Sequence, residues 1–327
     1  MLALNSVDTL QLLSPLETVG IVEAAALAAS DAASVVPKRQ HIQWSGGTLL
    51  TMPAIAAGAM AVKLVSVVPG NAARNLPVTN GLLVLGEAET GLPVAIIDAA
   101  ALTAMRTGAV GALGIRYLTP ADVTSIGIIG TGVQGAWQAI SACAVRPIRE
   151  IFAVHRSAAR FAAFEAALAV RVPGVTITPC ASATELLART DVIITATTSR
   201  EPVLPDEPRL LANKHFIAIG SFERHMRELP DSVYRLAGHL VLDSEFARHE
   251  VGEAVRSVEQ RLLTDEDIFP IGELVAGRRR VEVTRTTAYK SAGMALYDLY
   301  VTQAVYAAAR RRNVGQQLAM DVRGPPI

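Results

Sequence analysis

The stretch Ser125-Ile126-Gly127-Ile128-Ile129-Gly130-Thr131-Gly132-Val133-Gln134-Gly135 decides how this chain is read. It begins as an apolar, strand-forming run, enters a Gly-x-Gly-x-x-Gly turn and leads into an Ala-rich helical stretch. Glycines here allow a tight turn, let a pyrophosphate approach the backbone, and let the helix pack close on the strand. Thr131, Val133 and Gln134 complete the loop and the first helical turn, whose free N–H groups suit phosphate oxygens. At the end of the next expected strand, an acid would bind the adenosine ribose of NAD. This chain has His155, Arg156 and Ser157 there, with Arg160 a turn further on. A cationic cluster attracts a 2′-phosphate and carries no carboxylate to repel it, so the residues point to NADPH, with NADH as the alternative. A solvated surface arginine is the competing explanation.

A Gly-x-Gly-x-x-Gly alone is weak, and its surroundings give it meaning. Strand-like runs are expected at 125–129, 151–155, 175–179, 192–197, 215–219 and 239–242, with Ala-rich helices between the first four. That alternation is expected of an α/β, Rossmann-type, doubly wound parallel sheet. Thr197, Thr198 and Ser199 close its fourth strand, where such folds touch the cofactor ribose. Upstream, Ser14-Pro15-Leu16-Glu17 carries a capping-box pattern, predicting a helix to about Ala29. Short strands follow at 38–43, 48–52, 61–68, 81–85 and 92–97, separated by Ser45-Gly46-Gly47, Pro69-Gly70-Asn71 and Glu89-Thr90-Gly91. This is an α+β unit, mostly antiparallel, ending in a helix capped by Asp98 and running to about Tyr117. A helical segment from Lys290 to Arg311 is expected to pack back on it, and Arg323-Gly324-Pro325-Pro326 to form a frayed tail.

Bulk properties narrow the class. The chain has 327 residues, 51% hydrophobic and only 5% aromatic, with formal net charge +0, which fits a close-packed two-domain enzyme. Neutrality argues against nucleic acid or an anionic membrane as a partner. The apolar run Met52 to Gly70 is broken by Pro53, Gly58 and Lys63, so it reads as buried strands rather than a span. No basic region with a cleavage site opens the chain, and Cys143 and Cys180 have neither disulfide nor metal spacing. A cytoplasmic protein without a metal is the expectation.

Three cations stand where charge is expensive. Lys63 lies among Ala61, Val62, Leu64 and Val65; Arg106 lies in an apolar helix with Leu102 and Val110 on its face; Arg39 sits in a short strand after Pro37. No acid is near any of them in sequence, and a buried unpaired cation is costly. Converging on one cleft, they would grip a substrate carboxylate. The alternative is that Lys63 pairs with a distant acid and Arg106 snorkels to water.

Several segments together resemble the ornithine cyclodeaminase/mu-crystallin family. They are Val62-Lys63-Leu64-Val65 with Pro69-Gly70-Asn71, the helix from Asp98 through Thr103 to Arg106-Thr107, and Gly130 to Gln134. Thr195 to Ser199 with Pro202-Val203 follows, then Lys290-Ser291-Ala292-Gly293-Met294-Ala295 and Asp298-Leu299. They are colinear with the family over nearly the whole chain. The resemblance implies a substrate-binding and dimerisation domain at 1–118 and 295–327, a dinucleotide-binding domain at 119–294, and a homodimer. It implies that Arg39, Lys63 and Arg106 hold a substrate carboxylate beside a nicotinamide. Thr107 and Ser291 are expected to hydrogen-bond the substrate or the nicotinamide amide, with helix packing as the alternative.

One departure matters. Cyclodeaminases carry an Asp in the loop after the strand that here ends at Ile219-Gly220, and the matching position is Phe222. Without that acid ornithine deamination is disfavoured. The Gly220-Ser221-Phe222 and Met226-Arg227-Glu228-Leu229 pattern looks like the branch that reduces cyclic ketimines. The expectation is reduction of Δ1-pyrroline-2-carboxylate, and of its six-membered homologue Δ1-piperideine-2-carboxylate, with Lys63 as proton donor and Phe222 as an apolar wall. Glu223 or His225 could take a proton role, although an exposed loop charge is the commoner explanation. Rivals are an amino-acid dehydrogenase or opine-type reductive aminase, and a non-catalytic NADPH-dependent ligand carrier.

Overall fold

In chain order the elements of the computed structural model begin β1 (Leu2–Leu4), α1 (Ser6–Leu12), α2 (Pro15–Ala28), β2 (Gln40–Trp44) and β3 (Gly47–Ala56). Next come β4 (Ala59–Val67), β5 (Thr79–Glu87), β6 (Pro93–Asp98), α3 (Ala99–Leu118), β7 (Ser125–Ile129) and α4 (Val133–Val145). They continue with β8 (Glu150–Val154), α5 (Ala158–Arg171), β9 (Thr176–Cys180), α6 (Ala183–Arg189) and β10 (Val192–Thr195). After α7 (Pro208–Leu211) stand β11 (His215–Ala218), α8 (Asp231–Ala237), β12 (Leu240–Leu242), α9 (Ala247–Glu250) and α10 (Gly252–Glu259). The last are β13 (Ile268–Pro270), α11 (Gly272–Val275), β14 (Thr287–Lys290), α12 (Ala295–Arg312) and β15 (Gln316–Gln317). The structure describes residues 1–319, so the expected tail at 323–326 lies outside the described residues.

These elements gather into two compact units. One holds Met1–Arg106 and the chain from Met294 on; the other holds Thr107–Gly293. The first unit is built on a 7-stranded sheet in the order β15-β1-β6-β5-β4-β3-β2. It is antiparallel except where β1 runs parallel to β6. The apolar run from Met52 is the β3–β4 hairpin, and it turns at Ala57 and Gly58, both with positive φ. Positive φ at both central residues is what a tight hairpin turn needs to match strand twist. Period-two alternation then buries Leu50, Met52 and Ala54 of β3 and Ala61, Lys63 and Val65 of β4. α2 and α12 pack together, and α12 lies on β3 and β4. The capping box of α2 is present, with Ser14 Oγ accepting from Glu17 N at 3.2 Å and Ser14 N donating to Glu17 Oε2 at 2.7 Å.

The second unit is the expected Rossmann sheet: 8 strands in the order β13-β12-β14-β11-β10-β7-β8-β9, with every neighbouring pair parallel. The chain winds outward from β7 to β9 and then returns to β10 beside β7. That reversal makes the carboxyl ends of β7 and β10 the ligand-binding crevice of such sheets.

Three readings are corrected. The helix expected from Lys290 starts at Ala295, because Thr287–Lys290 is an interior strand of the parallel sheet and Gly293 has a φ of 78° that no helix accommodates. Arg39 does not sit in a strand but immediately before β2. β1 and α1 were not expected, being too short for periodicity to show.

Candidate active site

In the first unit the alternation of β4 turns Lys63 into the buried face, where it is 2% exposed. Arg106 of α3 arrives there at 5% and Asp298 of α12 at 1%. Asp298 answers both cations: Lys63 Nζ lies 2.7 Å from Oδ2, and Arg106 Nε donates to Oδ1 at 2.9 Å. So Lys63 does pair with a distant acid, and Arg106 does not snorkel to water. Asp298 and Arg106 are 192 residues apart in sequence, so no partner is visible in the local sequence around either cation. A signal existed: Asp298 interrupts Met294-Ala295-Leu296-Tyr297 and Leu299, the same anomaly that singled out Lys63.

Among the described residues two cations face this one carboxylate, and the surplus positive charge in a buried setting suits a second, incoming carboxylate. Burial, aided by Arg106, pushes Lys63 down to about 8, against the opposing pull of Asp298; half-buried Arg39 lowers it further. For Asp298 burial acts the other way, yet Arg106 and Lys63 together outweigh it and hold the carboxyl below its usual range. Lys63 is therefore ammonium at neutral pH and close to losing its proton, as an acid donor should be.

The second unit carries a cleft of about 530 Å³ at the carboxyl ends of β7, β8 and β10. Its lining brings together Gly130, Thr131 and Gly132 from the turn, and His155, Arg156, Ser157 and Arg160 after β8. Thr197, Thr198 and Ser199 line it after β10. The glycines have the reasons expected of them. Gly130 has φ 108°, and a Cβ there would meet Ala196 O at 2.5 Å. A Cβ on Gly135 would meet Gly130 O at 2.0 Å, so helix and turn are in close contact. Gly132 has nothing within 4 Å of a Cβ position, and as N-cap of α4 it offers no side-chain acceptor. Open space above uncapped N–H groups is a cradle that fits a pyrophosphate. Arg156 and Arg160 are exposed and Ser157 caps α5 through Arg160 N at 3.4 Å. His155 stacks on Phe161 with ring centroids 4.6 Å apart.

The remaining expected residues lie elsewhere in this unit. Val133, Gln134 and Gly135 form the first turn of α4 and are not among the cleft lining. Thr107 lends its carbonyl to Gln138 Nε2 at 2.8 Å, and Ser291 donates its hydroxyl to Asp243 Oδ2 at 2.7 Å. Phe222 is half-buried in the loop after β11. Beside it, Glu223 and His225 form a solvent-facing pair at 3.3 Å, 36% and 55% exposed, in keeping with loop charges.

The ornithine cyclodeaminase/mu-crystallin family pattern matches residues 1–313. The chain belongs to this family. A Δ1-pyrroline-2-carboxylate reductase from Bacillus cereus is 30% identical over 293 residues, 87% of this chain and 89% of that one. The structure of Thermococcus litoralis Δ1-pyrroline-2-carboxylate reductase in complex with NADH and L-proline superposes with a TM-score of 0.90 at 31% identity, covering 97% of this chain and 100% of that one. An archaeal alanine dehydrogenase dimer with bound NAD superposes at 0.89 and 29% identity, covering 98% and 99%. Both of these structures match over nearly the whole chain, so each covers the Rossmann sheet and the sheet that carries Lys63.

Proposed function

We propose that this family member reduces the cyclic ketimine Δ1-pyrroline-2-carboxylate to L-proline with NADPH, and accepts the six-membered homologue Δ1-piperideine-2-carboxylate. The observation that carries the reading is the buried Lys63–Asp298–Arg106 cluster with its one surplus positive charge. The likeness to a Δ1-pyrroline-2-carboxylate reductase, and to such a reductase in complex with NADH and L-proline, supports it.

The reaction asks for a grip on a small carboxylate and a seat for a nicotinamide nucleotide. Arg106 and Lys63, helped by Arg39, supply the grip, and charge-assisted bonds from a guanidinium suit a carboxylate. The glycine turn and the N-terminus of α4 would hold the pyrophosphate. Thr197, Thr198 and Ser199 of the cleft lining would hold the ribose, and Thr107 and Ser291 would serve the nicotinamide end. Bound there, a reduced nicotinamide would be the source of the hydride that the imine carbon needs. Lys63, directly or through a water it holds, supplies the proton to the imine nitrogen, which makes that carbon a better acceptor. Asp298 reconciles the two duties of Lys63, since its charge favours the ammonium form that both grips and donates. Phe222, where a cyclodeaminase has its Asp, offers an apolar wall to ring methylenes and no group to take a proton from ornithine.

The preference for NADPH rests on Arg156, Arg160, His155 and Ser157 in the cleft wall, where a 2′-phosphate would meet cations. The chain is proposed to act as a cytoplasmic homodimer. Ile55, Val62, Leu64 and Leu82 are all exposed, and pairings Val62↔Val84 and Leu64↔Leu82 join β4 to β5 on one face of the sheet. An apolar sheet face of this kind is what a partner copy covers. The alanine dehydrogenase likeness favours one second reading, reductive amination of a 2-oxo acid with ammonia.

Absorbance at 340 nm with purified protein, NADPH or NADH, and Δ1-pyrroline-2-carboxylate tests the proposal. Oxidation without ammonia, faster with NADPH and yielding L-proline, is expected. Oxidation only with an oxo acid plus ammonia establishes the dehydrogenase instead, and no oxidation with any substrate leaves a ligand carrier.

A further inference from the structure

Behind the cleft wall lies a buried polar cluster that hydride transfer itself does not call on. Glu228, in the loop before α8, is 0% exposed, as are Glu253 and Lys290. Each oxygen of the Glu228 carboxylate is committed. Oε1 accepts from Thr197 N at 2.7 Å and from Thr197 Oγ1 at 2.9 Å. Oε2 accepts from Gly220 N at 2.7 Å and Ser221 N at 3.1 Å. Lys290 Nζ stands 3.9 Å from Oε2 and donates to Ala218 O at 3.3 Å. Glu253 braces the far side, its Oε1 accepting from Glu228 N at 2.9 Å and Ser221 Oγ at 2.6 Å. One carboxylate therefore ties together the loops that follow β10 and β11, with the cation at the end of β14 beside it.

The tie is tight. A Cβ on Gly220 would lie 2.0 Å from Thr197 O and 2.1 Å from Thr197 N, and a Cβ on Gly130 would lie 2.5 Å from Ala196 O. Residues 196 and 197 are thus held between two glycine turns, with Glu228 completing the clasp. The backbone adds two more bonds, Val203 N to Glu228 O at 2.9 Å and Arg227 N to Ser199 O at 3.0 Å. Ala196, Thr197, Ser199 and Val203 all line the cleft. Burying a carboxylate with its counter-ion only 3.9 Å away costs stability unless its hydrogen bonds are all made. Burial pushes the Glu228 carboxyl upward, Lys290 opposes that, and Glu253 adds to it.

We propose that Glu228 is a positioning residue for the dinucleotide: its carboxylate sets the 196–199 wall of the cleft and, through Gly220 and Ser221, the loop that carries Phe222. The inference rests on the nucleotide-binding reading above.

The test uses the full-length protein and NADH titrated by fluorescence, with Tm measured in parallel. Glu228→Gln keeps the shape but turns one acceptor oxygen into an NH₂ that faces N–H donors. Loss of even one charge-assisted bond at the wall is expected to raise Kd for NADH by about tenfold or more. Lys290→Met, which removes the counter-ion without touching the cleft lining, is expected to weaken NADH in the same direction and decides the matter if Glu228→Gln does not fold. Leu168→Ala, buried at 0% in α5, is the control: it should lower Tm and leave Kd alone. Wild-type protein that binds neither NADH nor NADPH overturns the nucleotide reading and this inference with it. Wild-type protein that binds NADH while both variants bind it equally well overturns the inference alone.

Discussion

Replacing Asp298 with Asn keeps the shape of the side chain and removes the negative charge that Lys63 and Arg106 share in the ion pairs at 2.7 and 2.9 Å. Lys63 sits at about 8 in the intact protein, so some nine-tenths of it is ammonium at pH 7. Unit charges a few ångström apart attract by about 4 kcal/mol at the effective dielectric that suits protein sites, the equivalent of about three pH units. The retained amide oxygen and entering water recover part of this, and we expect Lys63 to fall by at least about one unit. The sign follows directly. The donor form of Lys63 exists below its pKa, so kcat/KM for the ketimine falls as pH rises through about 8 in wild type. In Asp298→Asn that alkaline limb moves to lower pH, and the rate at pH 7 drops. Because the substrate's own titration is common to both enzymes, the difference between the two profiles belongs to the protein. Leaving two cations buried together also costs stability, about 3 kcal/mol, at the low end for a broken buried pair because Lys63 relieves it by deprotonating. The assay is NADPH oxidation at saturating cofactor from pH 6 to 10, with guanidinium unfolding at pH 7. Superimposable alkaline limbs would refute the assignment of Lys63 as the titrating donor and of Asp298 as the group that holds its proton.

Other perturbations probe separate parts of the reading. Lys63→Ala should abolish turnover and leave the Kd for NADPH nearly unchanged; full activity would sink the carboxylate grip. Arg156→Asp should weaken NADPH and shift the preference towards NADH, by about 1–3 kcal/mol for a lost charge-assisted bond, read as the ratio of the two kcat/KM values. An unchanged ratio would remove Arg156 from the 2′-phosphate site. Leu64→Arg, at the exposed centre of β4, should yield monomers by sedimentation; a dimer of undiminished affinity would place the interface elsewhere. Folding stability should also register Lys63: its depressed pKa means the unfolded chain holds more protons between about pH 8 and 10.5, so this group adds stability as pH rises through that window.

The parts of this protein that obey a local period were legible in the sequence. The Gly-x-Gly-x-x-Gly turn, the strands around it and the capping box of α2 each depend on residues a few positions apart, and each stands where it was expected. So does the cationic cluster at 155–157, because a strand end fixes where its next residues emerge. Lys63 and Arg106 announced themselves by the cost of burying charge among Val, Leu and Ala. What local reading could not supply was their partner. Asp298 lies on a helix at the other end of the chain, and only the packing of α12 against β3 and β4 brings its carboxylate to both cations. Glu228 escaped for the same reason: its four bonds reach residues 7 to 31 positions away, and nothing in Met226-Arg227-Glu228-Leu229 marks it as buried. Lys290 reads in the sequence as the start of a helix and stands in a strand, since a short interior strand has no signature to set it apart. Periodicity decides which face a residue occupies; which charges meet across that face is decided only when distant elements pack, because burial takes water away and leaves each ion to the polar groups that packing brings to it.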